Sequence, residues 1–186
     1  MQLITIIAIS SIFVWLLIPI RQFRTRFFLF FLVLGLLDLI VILLRLVLQF
    51  NFEITYLFGS ALLLYPALIT IKKKIRLALC LAIFLVSLFT VFYSINNSNL
   101  VQITIHLIIL IYFLKILVVY YSENRNLLLF HLFLFAYEFT LLLKFFVAYH
   151  ELEIGPAYHY LTTGLQVFIG TFFLFFNELN SPKISI

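Results

Sequence analysis

Charged side chains are scarce: Asp, Glu, Lys and Arg together make up 10% of the 186 residues, against roughly 25% in soluble domains. With 66% hydrophobic residues and a mean hydropathy of +1.24, a water-soluble fold is excluded. Five glycines and four prolines are too few for a collagen-like or low-complexity chain, and the apolar crowding excludes disorder. A single cysteine, Cys80, allows no intrachain disulfide and reads as a small buried hydrophobe in a helix. There is no HExxH pair and no Gly-rich phosphate loop. Ser10, Ser11, Ser60 and Ser87 have no His and acid at a common depth for nucleophilic chemistry. No catalytic residue, metal or cofactor is therefore expected, and the chain reads as non-enzymatic.

What is present is apolar length. Runs at about 2–20, 27–48, 54–71, 77–95, 100–120, 127–148 and 156–176 each approach the ~20 residues that a helical span needs. They lack the ten-residue alternation of a membrane barrel. The expectation is an all-α integral membrane protein, a seven-transmembrane-helix bundle forming one domain over 1–186. The first basic residues follow the first apolar run instead of preceding it, unlike a cleaved signal peptide, so 2–20 reads as a retained span. Nine of the twelve Lys and Arg, including Arg21, Arg24, Arg26, Lys72, Lys73, Lys74, Arg76, Arg125 and Lys183, fall in alternate interruptions and the C-terminal segment. The positive-inside rule puts those segments in the cytoplasm, with the N-terminus outside and the C-terminus cytoplasmic, in a plasma (inner) membrane. Tyr56, Tyr93, Tyr149, Tyr158 and Tyr160 then fall at outer ends, as an aromatic belt would. The net charge of +5 is a topology signal, and no nucleic-acid partner is expected.

Shifted by 100 residues, the chain matches itself without a gap. FLFFLVLGLLDLIVILL lies over LLFHLFLFAYEFTLLLK, Asp38 over Glu138, Glu53 over Glu153 and Ile54 over Ile154, with eight identities between 27–54 and 127–154. This suggests a parallel 3-1-3 duplication, units 1–71 and 100–176 joined by the helix 77–95. In that architecture the chain resembles the SWEET and PQ-loop transporters. The resemblance implies transport at the interface of the two units, but it carries over no binding residue. Those families have hinge prolines in both units, and here Pro19, Pro66, Pro156 and Pro182 occupy no repeated register.

Five ionisable residues lie inside spans, where a central charge costs about 2.5–3.5 kcal/mol on insertion scales. Arg45, Lys115 and Lys144 stand near span ends and can snorkel. Asp38 and Glu138 stand at the bilayer centre with side chains too short to escape, so each needs a partner or a proton. His106 and His131 lie at different depths and do not converge on a metal. Glu53, His150, Glu151, Glu153 and His159 form a cluster in the outer loops that could hold a cation or titrate. Lys72, Lys73, Lys74 and Arg76 form a cytoplasmic basic turn suited to anionic lipid or a partner. Ala78 and Ala82, four apart, read as a helix contact.

Two functions follow. The leading one is a membrane-embedded sensor or assembly subunit that acts through a membrane protein partner or a second copy of the chain, with the lipid bilayer as its solvent. The alternative is a small 3-1-3 solute or proton-coupled transporter, with Asp38 and Glu138 as paired protonation sites. A central cavity lined by both carboxylates would favour transport; a packed centre with an exposed apolar groove would favour the subunit.

Overall fold

The computed structural model describes residues 2–49, 52–93, 98–150, 152 and 155–185, with the side chains of 2–5, 8, 45, 48, 52, 93, 156 and 159 excepted. Among the described residues there are seven helices: α1 Gln2–Arg21, α2 Phe28–Leu48, α3 Phe52–Ala67, α4 Lys73–Tyr93, α5 Ser98–Asn124, α6 Leu129–Tyr149 and α7 Pro156–Phe175. Three of them, over Lys73–Phe92, Ser98–Asn124 and Leu129–Tyr149, are long and apolar enough to cross a membrane. Several boundaries differ from expectation, among them α5, which runs to Asn124 instead of ending at 120. α3 stops at Ala67 instead of reaching 71; Pro66, in its last turn, has no N–H to give the Leu62 carbonyl, and Leu68 N–H still bonds back to the Leu64 carbonyl. The Lys73–Arg76 stretch is the first turn of α4 and not a loop.

Six helices close a ring in the order α1, α2, α3, α5, α6, α7, and α4 packs outside it against α3 and α5. Small residues permit the closest approaches. A Cβ at Gly35 would stand 2.4 Å from the Trp15 carbonyl oxygen, so α1 and α2 touch backbone to backbone there. Gly170 likewise takes the Val14 side chain of α1 against α7.

The ends of the helices divide the bundle into two unlike halves. At the basic end, which carries Arg21, Arg26 and Arg125, aromatic rings fill the centre of the ring. Phe27, Phe30, Phe31, Phe113, Phe130 and Phe173 are all buried. Their contacts cross helices, with Phe31 to Phe173 at 4.9 Å, Phe130 to Phe173 at 5.2 Å and Phe27 to Phe130 at 5.5 Å between ring centroids. Trp15 and Tyr137, 4.3 Å apart, cap this aromatic layer.

The basic end is also tied down by polar contacts that satisfy helix termini. The last carbonyls of a helix have no intrahelical donor. Here Gln22, fully buried, donates from Nε2 to the carbonyls of Phe173 and Phe176, at 2.9 Å each. The first N–H groups of α6 are met by the C-terminal segment: Leu129 N–H donates to the Pro182 carbonyl at 3.1 Å and Phe130 N–H to Ser181 Oγ at 3.0 Å. That segment pairs as a strand, β2 Lys183–Ser185, antiparallel to β1 Asn126–Leu128 between α5 and α6. This ribbon was not anticipated from the sequence, which suggested only a topological role for Lys183.

Candidate functional site

The half of the bundle away from the basic end holds a cavity of about 390 Å3 inside the ring. Its walls combine aliphatic side chains such as Leu34, Leu37, Val41 and Leu141 with a set of polar groups, Asp38, Tyr56, Ser60, His106, Lys144 and Gln166. Each polar group is positioned by a neighbour on another helix.

On the α5–α6 side, His106 Nδ1 lies 2.5 Å from Glu138 Oε1, and His106 Nε2 lies 3.0 Å from Ser60 Oγ on α3. All three residues are buried, Glu138 completely and His106 to within 2%. Phe145 stacks on the imidazole at 4.9 Å and fixes its plane. With Glu138 ionised, Nδ1 carries the ring proton and Nε2 accepts from the Ser60 hydroxyl; with Glu138 protonated the roles reverse. The second Glu138 oxygen and the side-chain oxygen of Gln102, one turn from His106, are buried without a protein partner. These findings correct the expectation that Ser60 has no His and acid at its depth.

A hydroxyl, imidazole and carboxylate in this order is the arrangement of a nucleophilic triad. Such chemistry also needs donors aimed at an oxyanion. Ser60 lies inside α3, where its own N–H and that of Ala61 close onto carbonyls four residues back, so α3 offers none. The row is suited to sharing a proton across three helices.

On the α2–α3 side, Tyr56 donates from its hydroxyl to Asp38 Oδ1 at 3.1 Å. Tyr56 therefore points into the bundle and is not a belt residue. On the α6–α7 side, Lys144 donates to Gln166 Oε1 at 2.5 Å and to Thr163 Oγ1 at 3.3 Å. Gln166 Nε2 in turn donates to Thr140 Oγ1 at 3.2 Å. Lys144 is held inward by these contacts, which corrects the snorkelling expectation. Asp38 and Glu138, matched by the 100-residue shift, have unlike partners, a tyrosine on the following helix and a histidine on the preceding one.

The remaining expected residues are dispersed. The Arg45 and His159 side chains, Glu151 and Glu153 lie outside the described residues. Glu53 is exposed and accepts from Ser98 Oγ at 3.4 Å, and His150 packs on Phe146 and Tyr149. Among the described residues no three His, Cys, Asp or Glu come together as a metal site. Lys72, Lys73 and Lys74 are exposed. Arg76 is not part of a free basic patch: its guanidinium lies 4.3 Å over the Tyr65 ring and donates to Tyr65 Oη at 3.2 Å. Ala78 and Ala82 are exposed on α4. Lys115 is exposed.

Glu178, which no sequence pattern singled out, organises the basic end. It forms an ion pair with Arg26, and one of its oxygens lies 2.9 Å from His131 Nε2. Burial pushes its carboxyl up, but the His131 hydrogen bond and the Arg26 guanidinium outweigh this and hold it below the ordinary carboxylate range. Comparison of the chain with protein-family models, curated proteins and solved structures returns no match.

Proposed function

We propose that the protein is a seven-span, non-enzymatic sensor subunit of the plasma (inner) membrane, with its N-terminus outside and its C-terminus cytoplasmic. A small ligand enters the cavity from the outer side, and occupancy is passed to a membrane partner through helix faces and the cytoplasmic end. The observation that carries this reading is the contrast between the halves. The cavity stops at Trp15 and Tyr137, and from there to the basic end the ring is filled by buried phenylalanines. A transporter needs a second route through that layer. Gln22, Arg26, Glu178 and the β1–β2 ribbon tie the same end together, which suits a state that is held and then released. The lone outer helix α4, exposed along most of its length, leaves a long apolar face for lipid or a partner helix.

The sensor reading is tested in sealed proteoliposomes under an imposed pH gradient and membrane potential. A sensor subunit leaves proton flux at the level of empty vesicles. Flux above that level that disappears in Asp38→Asn would establish the 3-1-3 transporter instead. The orientation is tested by impermeant thiol labelling in a Cys80→Ser background: Gly155→Cys reacts from outside and Lys73→Cys only after the inner face is opened. Reaction of Lys73→Cys from outside would invert the topology.

A further inference from the structure

We propose that the cavity binds a zwitterion, its ammonium against Asp38 and its anionic group against Lys144. This rests on the sensor reading only in that the cavity is a ligand site.

Asp38 on α2 and Lys144 on α6 face the same cavity, yet no ion pair within 4.0 Å joins them. A bundle that needed only to neutralise two costly charges would place them in contact, since an unpaired charge in the membrane interior is expensive. Instead the two charges attract one another across the space without touching, and each makes its hydrogen bonds to neutral groups on its own side, Asp38 to the Tyr56 hydroxyl and Lys144 to Gln166 and Thr163. Those bonds leave capacity unused. A carboxylate has about four acceptor sites and an ammonium three donors; the Tyr56 bond takes one of the former, and Lys144 keeps one of the latter. An acidic wall and a basic wall, both pre-positioned and separated by space, are complementary to a molecule that carries both opposite charges.

The volume and the rest of the lining narrow the class. About 390 Å3 falls inside the roughly 300–1,000 Å3 range of small-molecule sites. Leu34, Leu37, Val41 and Leu141 surround the space with aliphatic surface, so the body of the ligand is apolar and its charges are few. An aliphatic amino acid and the headgroup region of an ethanolamine lipid share this chemistry. The two sources enter by different routes, one from water and one from the bilayer.

The experiment is calorimetric binding to the purified full chain in a maltoside detergent, which brings no charge. The probes are leucine, N-acetyl-leucine (no ammonium), leucinamide (no carboxylate) and lyso-phosphatidylethanolamine. Saturable binding of leucine or of the lysolipid is expected, and leucine alone or the lysolipid alone identifies the source. Removing either charge from leucine weakens its binding roughly ten- to a hundredfold; if the lysolipid is the ligand, its N-acetylated form does the same. Asp38→Asn and Lys144→Met each give a comparable loss, and the charge-deleted probes read the same contacts on the native chain should either variant fold poorly. Absence of saturable binding by both zwitterions, or equal binding of a charge-deleted analogue, overturns the proposal. The flux assay is read separately. No zwitterion binding with flux at the empty-vesicle level ends this proposal and leaves the sensor reading in place. Zwitterion binding with Asp38-dependent flux supports this proposal and ends the sensor reading.

Discussion

His106 on α5 and Glu138 on α6, 32 residues apart in sequence, meet at 2.5 Å in the buried centre of the bundle. Both side chains are buried, Glu138 completely, and Ser60 occupies the other imidazole nitrogen at 3.0 Å. Replacing His106 with Leu orphans two buried polar groups at once, each at about 1–3 kcal/mol. The expected result is a clear fall in thermal stability in detergent. Glu138→Gln, which keeps an oxygen to accept from Nδ1, falls less. Equal stability of His106→Leu and the native chain would show that this row of side chains does not hold the helices together.

Glu178 makes the basic end acid-sensitive with a definite sign. Its folded-state pKa lies below the ordinary 4.5. A lowered carboxyl pKa contributes stability that is fully present above the unfolded value and lost as pH falls through the folded one. The native chain should therefore lose stability progressively as pH falls below about 4.5. Glu178→Gln should be less stable than the native chain at pH 7 and should show a flatter acid limb. Parallel pH profiles for the two proteins would contradict the assignment.

The C-terminal segment should act on α6 from a distance in sequence. Deleting residues 181–186 removes both partners of the Leu129 and Phe130 N–H groups and the strand opposite β1. Lost helix caps cost about 0.5–2 kcal/mol each. Amide exchange in the first turn of α6 should rise by at least about fivefold, the lower end of that cost for two caps converted to an equilibrium, while α3 amides stay protected. Unchanged exchange at residues 129–132 would mean that the segment does not cap the helix.

Glycines should separate by what surrounds them. Gly35→Ala drives a methyl group into the Trp15 carbonyl and should destabilise by more than 1 kcal/mol, the scale of overpacking. At Gly155 nothing among the described residues lies within 4 Å of an added Cβ, and Gly155→Ala should cost less, no more than the loss of a glycine at the N-cap of α7. Denaturation of both variants in mixed micelles checks the contrast; equal effects would contradict the close approach of α1 and α2.

The helices were legible because runs of apolar residues and polar breaks are counted along the chain. The direction in which each helix faces was not, since α5 and α6 are apolar all round and no stripe marks an inner side. Lys144 therefore read as a snorkelling residue, although it is bonded into the cavity by Gln166. Depth held a usable signal for one group. Ser60 and His106 each stand eight residues past the first residue of their helices, about 12 Å down two helices that run the same way. The expected starts at 54 and 100 carry the same match, six residues each; what the spacing did not show was that the two side chains face one another. Glu178 and the β1–β2 ribbon were illegible because their partners lie at the far end of the chain, and short strands in a polar tail leave no periodic pattern.

The cavity is proposed to be reached from one side and closed by the aromatic layer on the other. This is tested most directly by impermeant thiol labelling of Thr163→Cys and Phe113→Cys, each in a Cys80→Ser background, on right-side-out and inside-out vesicles. Thr163→Cys, on the cavity wall, is expected to react only from the outside, and Phe113→Cys, buried among the phenylalanines, from neither side. Labelling of Thr163→Cys from both faces would contradict one-sided access.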